Sequence, residues 1–488
     1  MNFKVLISAV LASTIAVAGC SDDSGNSGGS AGTGGSAGSA GSGGTGGTPA
    51  VVDCDALPAV DGYAVAEVFD NIPETATDDC TGDTFMPGAD AAARLNTRLE
   101  NADPGDVICL AQGTYEMDTT INVSLVGGTE SQNLVIKGIG DSPDDTVLNF
   151  GGPGSGIGIF VQKDGVTVEN LWVKNTGANG IEQDGTSGSV FRKVHVSWDN
   201  ENQEDNGAYG IYPTNCEDTL VEFSQATDAS DAGIYVGKCG WLDDETTGGV
   251  VRYNIAANNV AGLEVENCLD VVAHDNYVIG NTGGLMPLQQ PISADRPANT
   301  GVLMENNRVY CNNGTNFATT GVVQIIPVGT GVLNLGGQGV EIRNNDVQGN
   351  DSLGLAIVSS SFTCDAAGAD CPPYTYPYNP YAEDIYAHDN YFLNNGTNAD
   401  QDSDFYLVFD ILNVGTPENP SEDVFWDGNI REGVTDPEIC LGADFSGTYR
   451  DLTDNQCQMP ASLPAYAACL ADNSTTDTTG RLCDRASN

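Results

Sequence analysis

The sequence predicts an all-β chain wound as a right-handed parallel β-helix, with three strands per turn and about nine turns. Three observations predict it. First, an Asn followed five residues later by another Asn recurs five times, at Asn254/Asn259, Asn276/Asn281, Asn307/Asn312, Asn345/Asn350 and Asn390/Asn395. Second, these repeats of about 22 to 31 residues hold short apolar alternations of period two, separated by Gly, Asn and Asp, which mark strands and bends. Third, neither the Leu-x-x-Leu-x-Leu of a horseshoe nor the four-strand spacing of a propeller blade occurs. Coiled turns stack equivalent residues about 4.8 Å apart. The recurring Asn then fall into ladders at the bends, where their amides bond backbone and one another.

Residues 1–20 read as a signal peptide: Lys4 supplies the positive start, a short apolar run follows, and Val17-Ala18-Gly19-Cys20 has the form of a lipobox. Cys20 is the expected lipidated residue. Residues 21–50 are almost wholly Gly, Ser, Ala and Thr, a composition that buries no core and acts as a tether. Ser21 after the Cys points to the outer membrane, so the expected location is the cell envelope, exported and lipid-anchored. Residues 51–132 are expected to hold an N-terminal cap and the first strands. Within them Asp90 to Leu99 has the apolar spacing of a short helix, placed to cover the first turn of a solenoid. The repeating coil is expected over 133–410. Residues 411–488 lose the repeat and carry Cys440, Cys457, Cys469 and Cys483, as a disulfide-tied C-terminal cap or appendage would.

The net charge is −51, from 68 acidic and 17 basic residues, which excludes nucleic acid as a partner because phosphate binding needs Lys and Arg. It also opposes attraction of polyanionic glycans unless a cation bridges the like charges. Fourteen Cys in an exported chain imply disulfides, and setting Cys20 aside leaves an odd number. Cys216, Cys239 and Cys268 end three consecutive strands, close enough for one bridge and one remaining thiol. Cys364 and Cys371 suit a local bridge within the long loop 359–381. With three His in the chain, a His-rich metal site is not expected.

Two outward columns carry the candidate chemistry. Glu169, Arg192, Glu222, Arg252, His274, Glu305, Arg343 and His388 largely alternate in sign and read as a salt ladder, each exposed pair contributing about 0 to 1 kcal/mol. The Gly-Ile and Gly-Leu strands point Ile181, Ile211, Ile234 and Leu263 inward. Glu182, Tyr212, Tyr235 and Glu264 then share an outward column, with Glu266 on the same face and Asp231 at the preceding bend. Aromatic rings stack on sugar faces, while carboxylates bond hydroxyls, move protons or hold Ca²⁺. Tyr235, Asp231 and Glu264 are the candidate catalytic residues. Tyr212, Glu182 and Glu266 are the candidate substrate contacts, and Asp231, Glu264 and Glu266 are the candidate Ca²⁺ ligands.

The runs Asn206-Gly207-Ala208-Tyr209-Gly210-Ile211-Tyr212-Pro213, Ser230-Asp231-Ala232-Gly233-Ile234-Tyr235-Val236-Gly237 and Asn259-Val260-Ala261-Gly262-Leu263-Glu264 resemble an exported family of parallel β-helix repeat proteins. The resemblance spans roughly residues 90–409 and implies the fold, a lipoprotein address and, from the family's gene neighbours, a c-type cytochrome partner. More distantly the chain is similar to the β-helix superfamily of polysaccharide lyases and mannuronan C5-epimerases.

Two functions stay open on the sequence. One is binding of an extracellular polysaccharide, extending to lyase- or epimerase-like cleavage or epimerisation. There Tyr235 or Tyr212 moves a proton and Ca²⁺ neutralises a uronate. The other is a non-catalytic envelope scaffold, partnered by a redox protein.

Overall fold

The computed structural model describes residues 49–483 apart from 58–59, 61, 77–78, 82, 126–132, 241–246, 291–299, 361–378, 404 and 453–468. Cys20, the tether up to residue 48 and the Cys364/Cys371 pair lie outside the described residues.

The bends explain the coil. Each ladder Asn follows a residue in the left-handed region: Tyr253 (φ 56°) precedes Asn254, Asn258 (φ 59°) precedes Asn259, and Gly280 (φ 68°) precedes Asn281. One such residue turns the chain sharply without a loop. The Asn after it then places its amide inside the stack. Asn254 Nδ2 donates to Asn276 Oδ1 (3.0 Å), Asn276 to Asn307 (3.0 Å), Asn307 to Asn345 (2.9 Å) and Asn345 to Asn390 (3.0 Å). A second ladder joins Asn259, Asn281, Asn312, Asn350 and Asn395 at 2.9–3.0 Å. Both are the expected ladders.

Between bends lie short strands. One turn holds Gly249–Arg252, Ile255–Ala257 and Ala261–Glu266, and the next holds Val271–His274, Tyr277–Ile279 and Gly283–Leu288. They pair in parallel, Arg252 with His274, Ala256 with Val278 and Leu263 with Leu285. The result is an all-β right-handed coil with two long parallel sheets, one of 19 strands and one of 11. Because the 11-stranded sheet takes one strand from each turn, the rod has eleven turns among the described residues. It is longer than the repeat suggests at both ends: strands from Val107–Leu110 to Ile121–Asn122 open it, and Val424–Trp426, Ile439–Leu441 and Tyr449–Asp451 extend it. The C-terminal region is thus partly a continuation of the coil, with Cys440 and Cys483 bonded.

Ile181, Ile211, Ile234, Leu263, Leu285, Val332, Leu355 and Val424 stack as one fully buried column of the core. The helix Ala91–Glu100 closes its first turn as expected, burying Ala91, Ala92, Leu95 and Leu99. The described residues between 50 and 80 do something the sequence does not announce. They run along the flank of the 19-stranded sheet, against the order of the turns. Gln348 bonds Val52 and Ala50 (both 3.1 Å), Gln225 bonds Ala64 (2.8 Å) and Gly62 (2.7 Å), and Lys193 bonds Thr75 (3.1 Å). Val65 is buried against Phe223, Ile255, Ala257 and Ile279. Disulfides Cys54–Cys311 and Cys80–Cys109 pin this strap at its ends.

Candidate functional site

Sheet register brings the sequence candidates together. Glu182 pairs with Tyr212, Tyr212 lies beside Tyr235, and Tyr235 pairs with Glu264, all on the outer face of the 11-stranded sheet. Glu266 pairs with Gly237 two positions along. Asp231 sits at the bend before Ala232–Gly237, its backbone N–H bonded to Ala208 O (2.9 Å) and its carbonyl to Ala261 N (2.7 Å). Glu182 stands at the edge of the group, half-buried, and accepts from Asn179 Nδ2 (2.6 Å).

Two residues missed in the sequence complete the cluster. Tyr209 stacks on Tyr212 with centroids 4.3 Å apart and planes 10° apart, and Tyr235 leans on both at 5.1 and 4.8 Å. Lys238 follows Gly237 and is the cation whose charge acts on Glu264 and Glu266. Tyr209 was signalled by its place at the head of the Gly-Ile strand, Tyr209–Thr214. Lys238 had no signal beyond its sign.

The expected open groove is not what forms. Glu264 and Tyr235 are each 2% exposed, and Asp231 is 8% exposed. The segment 313–329 folds over them. Its Phe317, Val323 and Ile326 pack with Ala232, Tyr235, Ala261 and Met286. Asn316 Nδ2 shapes it internally, donating to Val323 O (2.9 Å) and Ile326 O (3.2 Å). Gly321, at φ 84°, approaches so closely that a β-carbon there would stand 3.2 Å from Asp231 Oδ2. Beyond it the helix Tyr406–Leu412 covers later turns, packing Val408 and Phe409 against Ala356 and Phe425. This explains why the outward column turns apolar after Glu264, at Met286, Leu333, Ala356 and Phe425.

Burial sets the electrostatics. Desolvation pushes the Asp231 carboxyl up to about 7, the Tyr209 hydroxyl pulling it back and the Glu266 charge adding to the rise. It drives Glu264 well above the usual carboxylate range, and the charges of Asp231 and Glu266 push it further. Glu266 is raised by the same burial but eased by Lys238, by Glu264 and by Tyr235. Burial thus raises both members of the Glu264–Glu266 pair, and Glu264 carries the added push of the neighbouring charges. Its Oε2 is buried without a hydrogen-bond partner. Tyr235 and Tyr209 are raised well above 10, by burial first and by the surrounding acids second. That direction keeps the Tyr235 hydroxyl protonated, the form in which it donates a hydrogen bond. Tyr212 moves the same way. Among the described residues no group of three His, Cys, Asp or Glu is arranged to hold a metal ion, so Asp231, Glu264 and Glu266 do not converge as the Ca²⁺ cage considered above.

The remaining candidates sort as structure. Glu222 takes Arg192 (2.6 Å) on one side and Arg252 (2.7 Å) on the other, and Arg343 bridges Glu305 and Glu341 (2.8 Å each). His274 bonds Asp275 (2.7 Å), and His388 bonds Glu341 (3.0 Å). The column is a salt ladder. Cys239–Cys268 is the bridge of its trio, and Cys216 remains a buried thiol.

A family model described as a right handed beta helix region matches residues 133–292 and again 206–371. The fold of the chain is a right-handed β-helix. Solved structures of similar shape include the A-modules of mannuronan C-5 epimerases AlgE6 and AlgE4 from Azotobacter vinelandii. Each is 15% identical over 74% of this β-helix chain, covering 90% and 92% of theirs, with TM-scores of 0.48 and 0.47. An alginate lyase from Paenibacillus sp. str. FPU-7 is 16% identical over 63% of this chain and 95% of its own, with a TM-score of 0.41. These likenesses concern the path of the backbone. No curated protein matches the β-helix chain.

Proposed function

We propose that the protein acts on an extracellular polysaccharide by general acid–base chemistry at the Asp231–Glu264–Glu266 cluster. The observation that carries this reading is the buried, unpartnered Glu264 carboxyl oxygen, set among tyrosine rings and acids whose pKa values are spread apart. Asp231, near 7, both takes and gives a proton at neutral pH and is the proton-transfer group. Tyr235 is a hydrogen-bond donor to the sugar or its leaving oxygen. Glu264 and Glu266 grip the ring, with Tyr212 and Glu182 as the contacts that lead outward. Lyase- or epimerase-like proton abstraction and hydrolysis both draw on this set. As part of the same proposal, Cys20 is lipidated and the rod hangs from the outer membrane on its tether.

A second reading, a non-catalytic envelope scaffold with a c-type cytochrome partner, draws on the closure of 313–329 over Glu264. Binding separates the two. The full chain is to be tested against an array of acidic, neutral and amino polysaccharides, beside Glu264→Gln. Retention of one glycan class by the wild type, lost in the variant, supports the first reading. No retention across the array overturns it.

A further inference from the structure

The charge of the cluster is unbalanced in a way that names its ligand. Among the described residues, Lys238 is the one positive side chain acting on Glu264 and Glu266. Three aromatic rings, Tyr209, Tyr212 and Tyr235, stand 4.3–5.1 Å from one another beside these acids. Aromatic faces next to carboxylates form a cation's environment: the rings attract charge through their quadrupoles and the oxygens accept its hydrogens. Glu264 Oε2, buried and unpartnered, is an acceptor awaiting a donor.

A metal ion fits poorly, because it needs several oxygens converging at fixed distance and no such group forms among the described residues. A uronate fits worse, since its carboxylate would enter a site of three acids within a chain of net charge −51. An ammonium fits, being compact, carrying three donors and demanding little of geometry. We propose that the cluster binds the ammonium group of an amino sugar within its glycan, the amine entering as the Glu264–Glu266 proton leaves. This rests on the glycan reading above and gives it a substrate class.

The test is a matched pair. Binding of the full chain to a short glucosamine oligomer and to the same oligomer fully N-acetylated is measured by calorimetry in two buffers of different ionisation enthalpy, at raised salt to suppress attraction to the acidic surface. The expected result is roughly tenfold or greater preference for the glucosamine form, with proton release on binding. Glu264→Gln and Asp231→Asn should each weaken that binding while leaving the fold intact by circular dichroism. Tyr212→Phe, which keeps the ring, should retain most of it.

Equal binding of the two oligomers overturns the amino-sugar assignment and leaves the glycan reading standing. So does binding of other glycans but neither of these. Binding of the glucosamine form that ignores the Glu264 and Asp231 variants also overturns it, as attraction to the surface. Binding of no glycan at all overturns both.

Discussion

Tyr235 folds back over Gly237: a β-carbon at 237 would stand 2.1 Å from the Tyr235 hydroxyl. The missing side chain is what lets that hydroxyl lie down beside Glu266, the partner of Gly237 in register. Tyr235 is buried and cannot swing aside. Gly237→Ala should therefore displace it, costing about 1–3 kcal/mol of stability and the cluster's ligand binding together. Chemical denaturation and a binding assay check the two effects. Gly240→Ala is a poor control, since φ is 74° there and the backbone itself would strain.

Glu264 should oppose stability at neutral pH. Its folded pKa lies well above its ordinary value, so its contribution is fully present below about pH 4.5 and is lost as pH rises through the folded value. Asp231 behaves alike, between its ordinary 3.8 and about 7. Glu264→Gln should stabilise the protein by about 0.5–2 kcal/mol near pH 8, with the gain shrinking toward zero on acidification. Melting temperatures of both proteins across that range test it. A constant difference at every pH would contradict the assignment.

His195 should act in the opposite sense. It is buried, stacked on Trp172 at 4.5 Å and bonded to Asp144 Oδ1 through Nδ1 at 2.9 Å. Burial lowers its pKa below 6.5 despite the pull of Asp144. Stability is therefore lost as pH falls from about 6.5 through the folded value, where the folded ring must take a charge. His195→Gln should flatten that part of the profile, measured as the dependence of melting temperature on pH.

The Asn ladders are the most legible feature of the chain. Asn281 is fully buried and donates to Ala256 O (3.0 Å) and Asn312 Oδ1 (2.9 Å) while accepting from Asn259. Asn281→Ala strands polar groups on both neighbouring turns and should cost about 2–3 kcal/mol. Asn390→Ala, at the open end of its ladder, should cost less. Denaturant midpoints decide.

Such ladders show in sequence because stacking repeats one demand at one position, so the residue type recurs. The outward column of Glu182, Tyr212, Tyr235 and Glu264 is legible for the same reason, alternation fixing its face. Closure of the site is not. Phe317, Val323 and Ile326 meet Ala232 and Ala261 from a segment inserted between turns, and no period links them. The small Ala232, Ala261 and Gly283, one beneath another, are the trace it leaves. The strap is hidden likewise, because Val65 and Gln225 are joined across the fold by contacts that no local pattern encodes.

Releasing the strap should show its worth. The Cys54–Cys311 disulfide spans 257 residues. Replacing both by Ser should lower stability by about 2–4 kcal/mol and expose residues 55–75 to limited proteolysis while the coil survives. Fragment masses and the unfolding midpoint report both.

Turnover decides whether the acid cluster is a working centre. The full chain, Asp231→Asn, Glu264→Gln and the salt-ladder variant Arg252→Ala are to be incubated with the polysaccharide panel, reading new reducing ends. Product from the wild type and Arg252→Ala, abolished in both cluster variants, is the predicted result. Product that survives in the cluster variants, or none from any protein on any substrate, would contradict it.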